Sequence, residues 1–572
     1  MPGPRQGLPA LEMELLFDEL DRCLRCGFCM AVCPTYGATG QEQFVARGRL
    51  NLIQQQFHPL PVVEAARAAP AAATAGEDAC SPAGQVAGNH PPRKVAHGVD
   101  RPPTARRLEI GRKQFKEVIF SCLSCLACET ACPPGVPITR LITAARADYV
   151  SRYGIPLIKR VAIQGALAHP FLLREGAHLA SWVQGALFRD RSPGVPDGMG
   201  VQQPRCSLPL VGRRVFPRAA RYSLYRRLEQ IPRPPKARRR VAFFPGCMIS
   251  AAYTDVGVAL ASMLARRGVE MIAPRQWQCC GMPAQVHGAW ATARRQVLKN
   301  LEIMESVLDQ GAEAILTACA SCGSQLSHHM LELFEVSAAG RTTGGQDEQH
   351  HTAAADRSII TRLRRVAGRV MDATVYLADV LHYEPGPFAL ARPVTVTYHD
   401  PCHLARGQGV RQEPRQLLER VPGARFVEME EADRCCGGAG IYFLEHPDLS
   451  DAIQRRKTQA IAATGADLVA TACPACMMQL EDGLVRSGAG EGVHAVHVLQ
   501  LLDDTDRPPA EQRRYRPTSE PVKEQREQGS QEEAMERAKQ VAAIRGNAEK
   551  TTRGQLRSLA RPVLRYNTRV SR

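Results

Sequence analysis

Two short stretches repeat one arrangement of cysteines, CLRCGFCMAVCP at 23–34 and CLSCLACETACP at 122–133. Each reads C-x2-C-x2-C-x3-C-P. Thiolates at that spacing are ligands for a cubane [4Fe-4S] cluster, because one tight loop can offer three sulfurs to three corners while the fourth cysteine starts a helix that points away. The fourth cysteine ordinarily serves the other cluster. By that rule Cys23, Cys26, Cys29 and Cys132 form one site, and Cys122, Cys125, Cys128 and Cys33 the other. All four corresponding positions are 99 residues apart, so the motif itself is duplicated. Pro34 and Pro133 turn the chain after the last ligand. A pair of zinc ribbons would need four cysteines per site with roughly 15–20 residues between pairs, and neither stretch has that form.

Ten more cysteines fall into two sets, Cys247, Cys279, Cys280, Cys319, Cys322 and Cys402, Cys435, Cys436, Cys473, Cys476. Five thiols exceed the corners of one cubane or one tetrahedral zinc. Adjacent pairs such as Cys279-Cys280 suit different irons of a larger cluster, and Gly281 and Gly437 suit a backbone passing close to a bulky group. His399, Asp400 and His403 flank Cys402 in YHDPCHLAR. They are either donors and proton carriers beside a cluster, or residues that cap and turn the chain where a strand gives way to a helix. Cys80 and Cys206 stand outside every motif and read as free thiols in a linker and a loop.

The elements that must position these groups show a second duplication. Cys247 to Cys402 is 155 positions, Cys279 to Cys435 is 156, and Cys319 to Cys473 and Cys322 to Cys476 are both 154. VAFFPGC faces VTVTYHDPC, and GAEAILTAC faces GADLVATAC. Each copy reads as strand (VAFF, VTVTY), helix, strand (VEMIA, RFVEM), Cys-Cys-Gly turn, long helix, strand (AILTA, LVATA), Cys-x-x-Cys, helix, which predicts an α/β layer with mainly parallel pairing. The expected fold class is α+β multidomain, with an N-terminal helical ferredoxin-type two-cluster domain followed by two α/β cysteine-rich domains. The expected divisions are 10–150 for the two-cluster domain, with a disordered insertion at about 58–107, and 151–240 for a helical connector ending in the linker IPRPPKARRR. The first cysteine-rich domain spans 241–384, with a surface loop at about 338–357, the second spans 394–503, and a mobile basic tail occupies 505–572.

The 572 residues are 44% apolar, enough for several cores, and the 20 cysteines are bunched as metal ligands rather than spread as a disulfide framework. The N-terminus lacks the basic start and apolar core of a signal peptide, so a cytoplasmic location is expected. No stretch reaches the roughly 18 apolar residues of a membrane span. The formal charge of +16 lies largely in the linker and tail; it reads as a solvated surface, with an acidic partner or the anionic inner face of a membrane as the next reading. Nucleic acid is not expected, since no aromatic residues interleave with the arginine runs.

The second set of cysteines resembles the cysteine-rich, CCG-domain proteins, including heterodisulfide reductase subunits. With CLRCGFCMAVCPTYGATGQEQFVARGRLNLI and CLSCLACETACPPGV, the chain from 15 to 503 is similar to the iron-sulfur subunits of glycolate oxidase and of related lactate and glycerol-3-phosphate dehydrogenases. That resemblance implies two cubane clusters and one or two noncubane [4Fe-4S] clusters on the ten later cysteines. It implies a partner flavoprotein that oxidises a 2-hydroxy acid, glycolate or D-lactate, and an acceptor such as quinone. The alternative is a heterodisulfide-reductase-like subunit that cleaves a disulfide, which the intact Cys-x-x-Cys pairs in both copies would suit. A zinc-binding scaffold is a third reading. No Gly-rich dinucleotide fingerprint is present, so the chain should not oxidise the substrate alone. No catalytic side chain is expected on it.

Overall fold

In the computed structural model the described residues are 16–57, 111–190, 201–207, 212, 214–339, 348–488 and 492–513. The insertion at 58–107, Cys80 and the chain beyond Arg513 lie outside them. The first domain is helical: α1 (Phe28–Val32) carries Cys29, α2 (Pro34–Thr39) follows Cys33, α3 is Ala46–Phe57, α4 Arg112–Phe120, α5 (Ala127–Thr130) carries Cys128, and α6 is Ile138–Tyr153. Leu50, Ile53, Ile119, Leu141 and Ile142 close its core. Cys33 caps α2 with Pro34 at the first helical position, where a missing N–H costs nothing. The second motif departs from that expectation. Cys132 is followed by a turn through Pro133, Pro134 and Gly135, because a residue before proline is pushed out of the helical region and two prolines in succession delay the next helix to Ile138.

The connector holds α7 (Pro170–Leu187) and a three-stranded antiparallel sheet that the sequence did not signal, β1 (Phe188–Asp190), β2 (Val201–Pro204) and β3 (Phe216–Pro217). These strands are too short for alternation to register.

The two cysteine-rich domains share one topology. In the first, β4 (Arg239–Phe244), β5 (Val269–Ile272), β6 (Ile315–Thr317) and β7 (Val370–Asp372) pair in parallel in the order β5-β4-β6-β7. In the second, β8 (Val394–Tyr398), β9 (Ala424–Phe426), β10 (Leu468–Thr471) and β11 (His494–His497) pair as β9-β8-β10-β11. Parallel strands covered on both faces read as unbroken apolar runs, as VAFF and LVAT do. The fourth strand of each sheet was missed, being short and mixed in polarity. Helices between the strands include α8 (Gly246–Ala251), α9 (Thr254–Arg266), α10 (Trp290–Asp309), α11 (Glu348–Ala367) and α12 (Pro447–Ala463), and α13 (Val498–Thr505) follows β11.

Of the surface loop expected at 338–357, residues 340–347 lie outside the described residues, and 338–339 and 348–357 are helix instead. Residues 348–357 open α11, where Ala and Arg favour helix and Arg294 of α10 grips Asp356 at 3.0 Å. The chain also stays packed beyond 505, with Gln512 and Arg513 buried. Among the described residues no helix is long and apolar enough to cross a membrane.

Candidate functional site

The two cubane motifs use one backbone device. Arg25 and Gly27 in the first, and Ser124 and Leu126 in the second, have φ of 55°, 87°, 52° and 62°. Three of the four are not glycine, a strain of about 1–3 kcal/mol each that persists only where surrounding contacts fix the turn. The twist turns Cys23, Cys26 and Cys29 toward a space that Cys132 also lines, beside Arg47 and Val136. Cys122, Cys125 and Cys128 line a second space with Cys33, Thr35 and Arg49. Each motif's fourth cysteine therefore lies against the other motif's three.

The donors suit the group implied for them. Burial, then Cys122, Cys125 and Cys33, push the Cys128 thiol well up. Sulfurs crowded in such surroundings hold protons unless a cation sits among them, and the iron of a bound cluster would supply that cation.

Two arginines that the sequence did not single out stand behind the second space. Arg49 donates Nε to the Val118 carbonyl at 3.0 Å and Nη2 to Ser121 Oγ at 3.0 Å and Thr35 Oγ1 at 3.2 Å. Arg146 donates to the carbonyls of Ile119, Cys122 (2.6 Å) and, in the first cysteine-rich domain, Val286 (2.7 Å). Arg49 shares the inward stripe Ala46, Arg49, Leu50, Ile53 of α3. A charge on an apolar stripe was the signal available.

The ten later cysteines form one continuous file. Cys247 contacts Cys279, Cys280 contacts Cys322, and Cys322 contacts Cys319. The file crosses between the copies from Cys319 to Cys473, then runs through Cys476, Cys436 and Cys435 to Cys402. Cys435 also touches Cys125 of the second cubane motif. Thiol donors from Cys279 and Cys322 lower Cys280 to about 6. Contacts from Cys435 and Cys476 hold Cys436 well below its ordinary value, and those from Cys319 and Cys476 do the same for Cys473. Thiolate is the form that ligates metal. The crossing is held by the Ala320 N–H donating to the Ala472 carbonyl at 3.3 Å and by His497 Nε2 at 3.0 Å from the Ala318 carbonyl.

Gly281 and Gly437 make the left-handed turn after each Cys-Cys pair, and the Gly437 N–H lies 3.5 Å from Cys435 Sγ. Their φ values of +98° and +87° require glycine, and an added Cβ would meet the Ala293 carbonyl of α10 at 3.5 Å and the Ser450 carbonyl of α12 at 3.0 Å. Gly246 also lies against a thiol, where a Cβ would lie 2.7 Å from Cys322 Sγ at a φ of +65°. Gly246→Ala is therefore expected to displace Cys322 and lower the iron bound by the first copy, with the second copy and both cubane sites unaffected; iron and acid-labile sulfide per chain measure this.

The residues around Cys402 divide. Asp400 is structural, accepting from Arg415 at 3.0 and 2.7 Å. His403 joins three parts of the chain, with Nε2 3.0 Å from the Ser124 carbonyl and Nδ1 3.2 Å from Ser321 Oγ. His399 is fully buried, its ring nitrogens find no hydrogen-bond partner among the described residues, and one lies within 4.8 Å of the Cys436 and Cys476 sulfurs. Burial, with Lys457 adding to it, lowers His399 to about 3. In the first copy Phe244 holds the matching position on β4, so the imidazole of His399 has no counterpart there. Cys206 is exposed and apart from the file.

A helical domain with two interleaved four-cysteine sites, joined by a file of thiols to a pair of like α/β domains, defines an iron-sulfur protein of the cysteine-rich type. The 4Fe-4S dicluster domain family matches residues 19–136, and the Cysteine-rich domain family matches 241–327 and 396–481. The chain is 27% identical over 496 residues to a probable glycolate oxidase iron-sulfur subunit of Bacillus subtilis, covering 85% of this chain and 93% of that one. It is 26% identical over 478 residues to the glycolate oxidase iron-sulfur subunit of Escherichia coli, covering 83% and 92%. It is 24% identical over 480 residues to one of the subunits of the dihydromethanophenazine:CoB–CoM heterodisulfide reductase of Methanosarcina barkeri, covering 81% and 89%. The chain is similar to iron-sulfur subunits of this kind over most of its length, and it carries one 4Fe-4S dicluster domain followed by two matches to the Cysteine-rich domain.

Proposed function

We propose that the chain is the electron-transfer subunit of a 2-hydroxy-acid oxidoreductase, glycolate or D-lactate dehydrogenase, taking electrons from a partner flavoprotein and delivering them to an acceptor such as quinone. The single observation that carries this reading is the unbroken line of sulfur from the cubane motifs through Cys125 and Cys435 to Cys247. Similarity along nearly the whole length of the glycolate oxidase subunits supports the hydroxy-acid side. Iron-sulfur clusters, once bound, supply reversible one-electron oxidation and reduction. In this reading Cys23, Cys26, Cys29 and Cys132 hold one cubane cluster, Cys122, Cys125, Cys128 and Cys33 the second, and the five cysteines of each later domain a noncubane cluster. Arg49 and Arg146 offset buried negative charge at the second site, and His403 fixes the seam where three domains meet.

The intact ten-cysteine file also favours a second reading, disulfide reduction at the later domains, in line with the heterodisulfide reductase similarity. Anaerobically purified chain should contain about sixteen irons, whereas about eight would confine clusters to the cubane motifs. Bleaching of the visible absorbance by glycolate or D-lactate, only with an FAD-binding partner present, is the expected result. Reoxidation of the reduced chain by a heterodisulfide but not by a quinone would move the assignment to the second reading. Zinc in place of iron in the later domains would remove the noncubane proposal.

A further inference from the structure

Among its described side chains, the connector helix α7 turns its large apolar residues outward. On a water-exposed helix the large apolar side chains face the protein. Here the side toward the protein carries half-buried Ala177, Ala180, Ser181 and Gln184, with Gln184 Oε1 accepting from the Ala219 N–H at 2.9 Å. The outward side carries Leu172, Leu179, Trp182, Val183 and Leu187, with Leu179 67% and Trp182 69% exposed. At about 100° per residue Leu172, Leu179, Val183 and Leu187 fall within one stripe. Leu157 and Val161, just before the helix, extend the same apolar character.

What surrounds this face says what covers it. Arg160, Arg189, Arg205, Arg221 and Arg226 are exposed on the connector. The acidic Asp190 and Glu229 already hold Arg218 and Arg275, leaving Glu175 as the other exposed acid among the described residues of the connector. Exposed Tyr222, with Arg226 stacked 5.0 Å above its ring, reaches the helix because His178 Nδ1 lies 3.0 Å from the Arg221 carbonyl. Leucines and a tryptophan on one face, a tyrosine beside it and arginine around it match a helix lying in the plane of an anionic bilayer surface. The chain's charge of +16 adds long-range attraction of the same sign. Behind the face, α7 packs against α8, which carries Cys247 at the end of the sulfur file.

We infer that α7 is a bilayer-docking helix, which seats Cys247 toward anionic phospholipid so that a lipid-soluble acceptor meets that end of the chain. The purpose rests on the proposed delivery to a membrane-borne acceptor; the lipid contact does not, and it is measured without turnover.

The full chain, purified anaerobically, is mixed with vesicles of phosphatidylcholine plus phosphatidylglycerol and, separately, of phosphatidylcholine alone. Expected are co-sedimentation with the anionic vesicles, weakening with added salt, and a blue shift of the Trp182 emission, readable because Trp277 and Trp290 are buried. Leu179→Ser with Trp182→Ser should weaken partitioning by at least about tenfold, while iron content stays at the wild-type value and so reports an intact fold. Absence of vesicle binding by the wild-type chain, or binding that the double substitution leaves unchanged, overturns the proposal. A doubled mass in light scattering that the substitutions abolish, without lipid binding, assigns the face to a second copy. Loss of flavoprotein co-purification with unchanged vesicle binding assigns it to that protein; either result removes the lipid assignment.

Discussion

Cys132→Ser is expected to remove about four irons from the chain, and adding Cys26→Ser to it is expected to remove no more. The two cysteines sit 106 positions apart in different motifs, yet they line one space. If both serve one cluster, either change destroys that cluster and the second change has nothing left to act on. If each motif kept its own four cysteines, the double variant would lose about eight irons. The same holds for Cys33→Ser with Cys125→Ser at the second space. Two changes that act as a unit are grossly non-additive, whereas independent ones add. Iron, sulfide and the number of reduced-state EPR signals read the difference. Two signals in Cys26→Ser, both at wild-type intensity, would contradict the cubane assignment.

Arg513→Ala is expected to cost about 3–5 kcal/mol, the range for breaking a buried ion pair from one side. Its guanidinium donates to Asp255 Oδ2 at 2.5 Å in the first cysteine-rich domain and to Asp504 Oδ1 at 2.6 Å and Asp503 Oδ2 at 2.9 Å in the second. Asp503 and Asp504 are wholly buried. The residue therefore clamps α9 to α13 across the two domains, and removing it takes a fork of donors from three buried carboxylates, of which Asp255 keeps Arg227 and Asp503 keeps Arg507. An unfolding midpoint lower by about 10 °C is the expected readout, with Arg513→Lys falling between, since a point charge replaces a fork.

The pH dependence should reverse as well. Burial alone raises the Asp255 pKa, but Arg513 and then Arg227 outweigh it and hold the carboxyl below its ordinary value. In the wild-type chain this contributes stability that is present above the unfolded carboxylate value, about 3.9, and lost as pH falls through the lower folded value. Without Arg513, burial at Asp255, the largest single influence on that carboxyl, is opposed by the charge of Arg227 alone. The folded state then takes up a proton, and the variant should lose stability as pH rises from about 5 toward 7. A variant whose deficit is constant across that range would show that the carboxylates find other partners.

The legible part of this molecule is the part written as local pattern. The spacing of Cys23, Cys26, Cys29 and of Cys122, Cys125, Cys128 needs only one loop each to define three corners of a site. The paired register of Cys247 with Cys402 and of Cys319 with Cys473 announces two like domains, and the apolar runs at 241–244 and 468–471 announce buried parallel strands. Little else was local. The connector's short sheet, β7 and β11 have too few residues for any period to emerge, and α11 was obscured by a run of Gln and His at its start.

What the sequence determined by itself was the ligand inventory, the duplication and the kind of chemistry, because thiol spacing and repeat register are properties of a chain. The tertiary structure alone decided how those ligands meet. Cys132 faces the first motif, Cys435 touches Cys125, and Cys319 touches Cys473, contacts across 109, 310 and 154 positions of sequence, counted from Cys23 in the first case. They arise from packing of α1 on α5 and of the two sheets end to end. The same packing set Ala177, Ala180, Ser181 and Gln184 of α7 toward the protein and left Leu172, Leu179 and Leu187 exposed. Periodicity shows that a helix has an apolar stripe; only the neighbours it packs against decide which way the stripe faces.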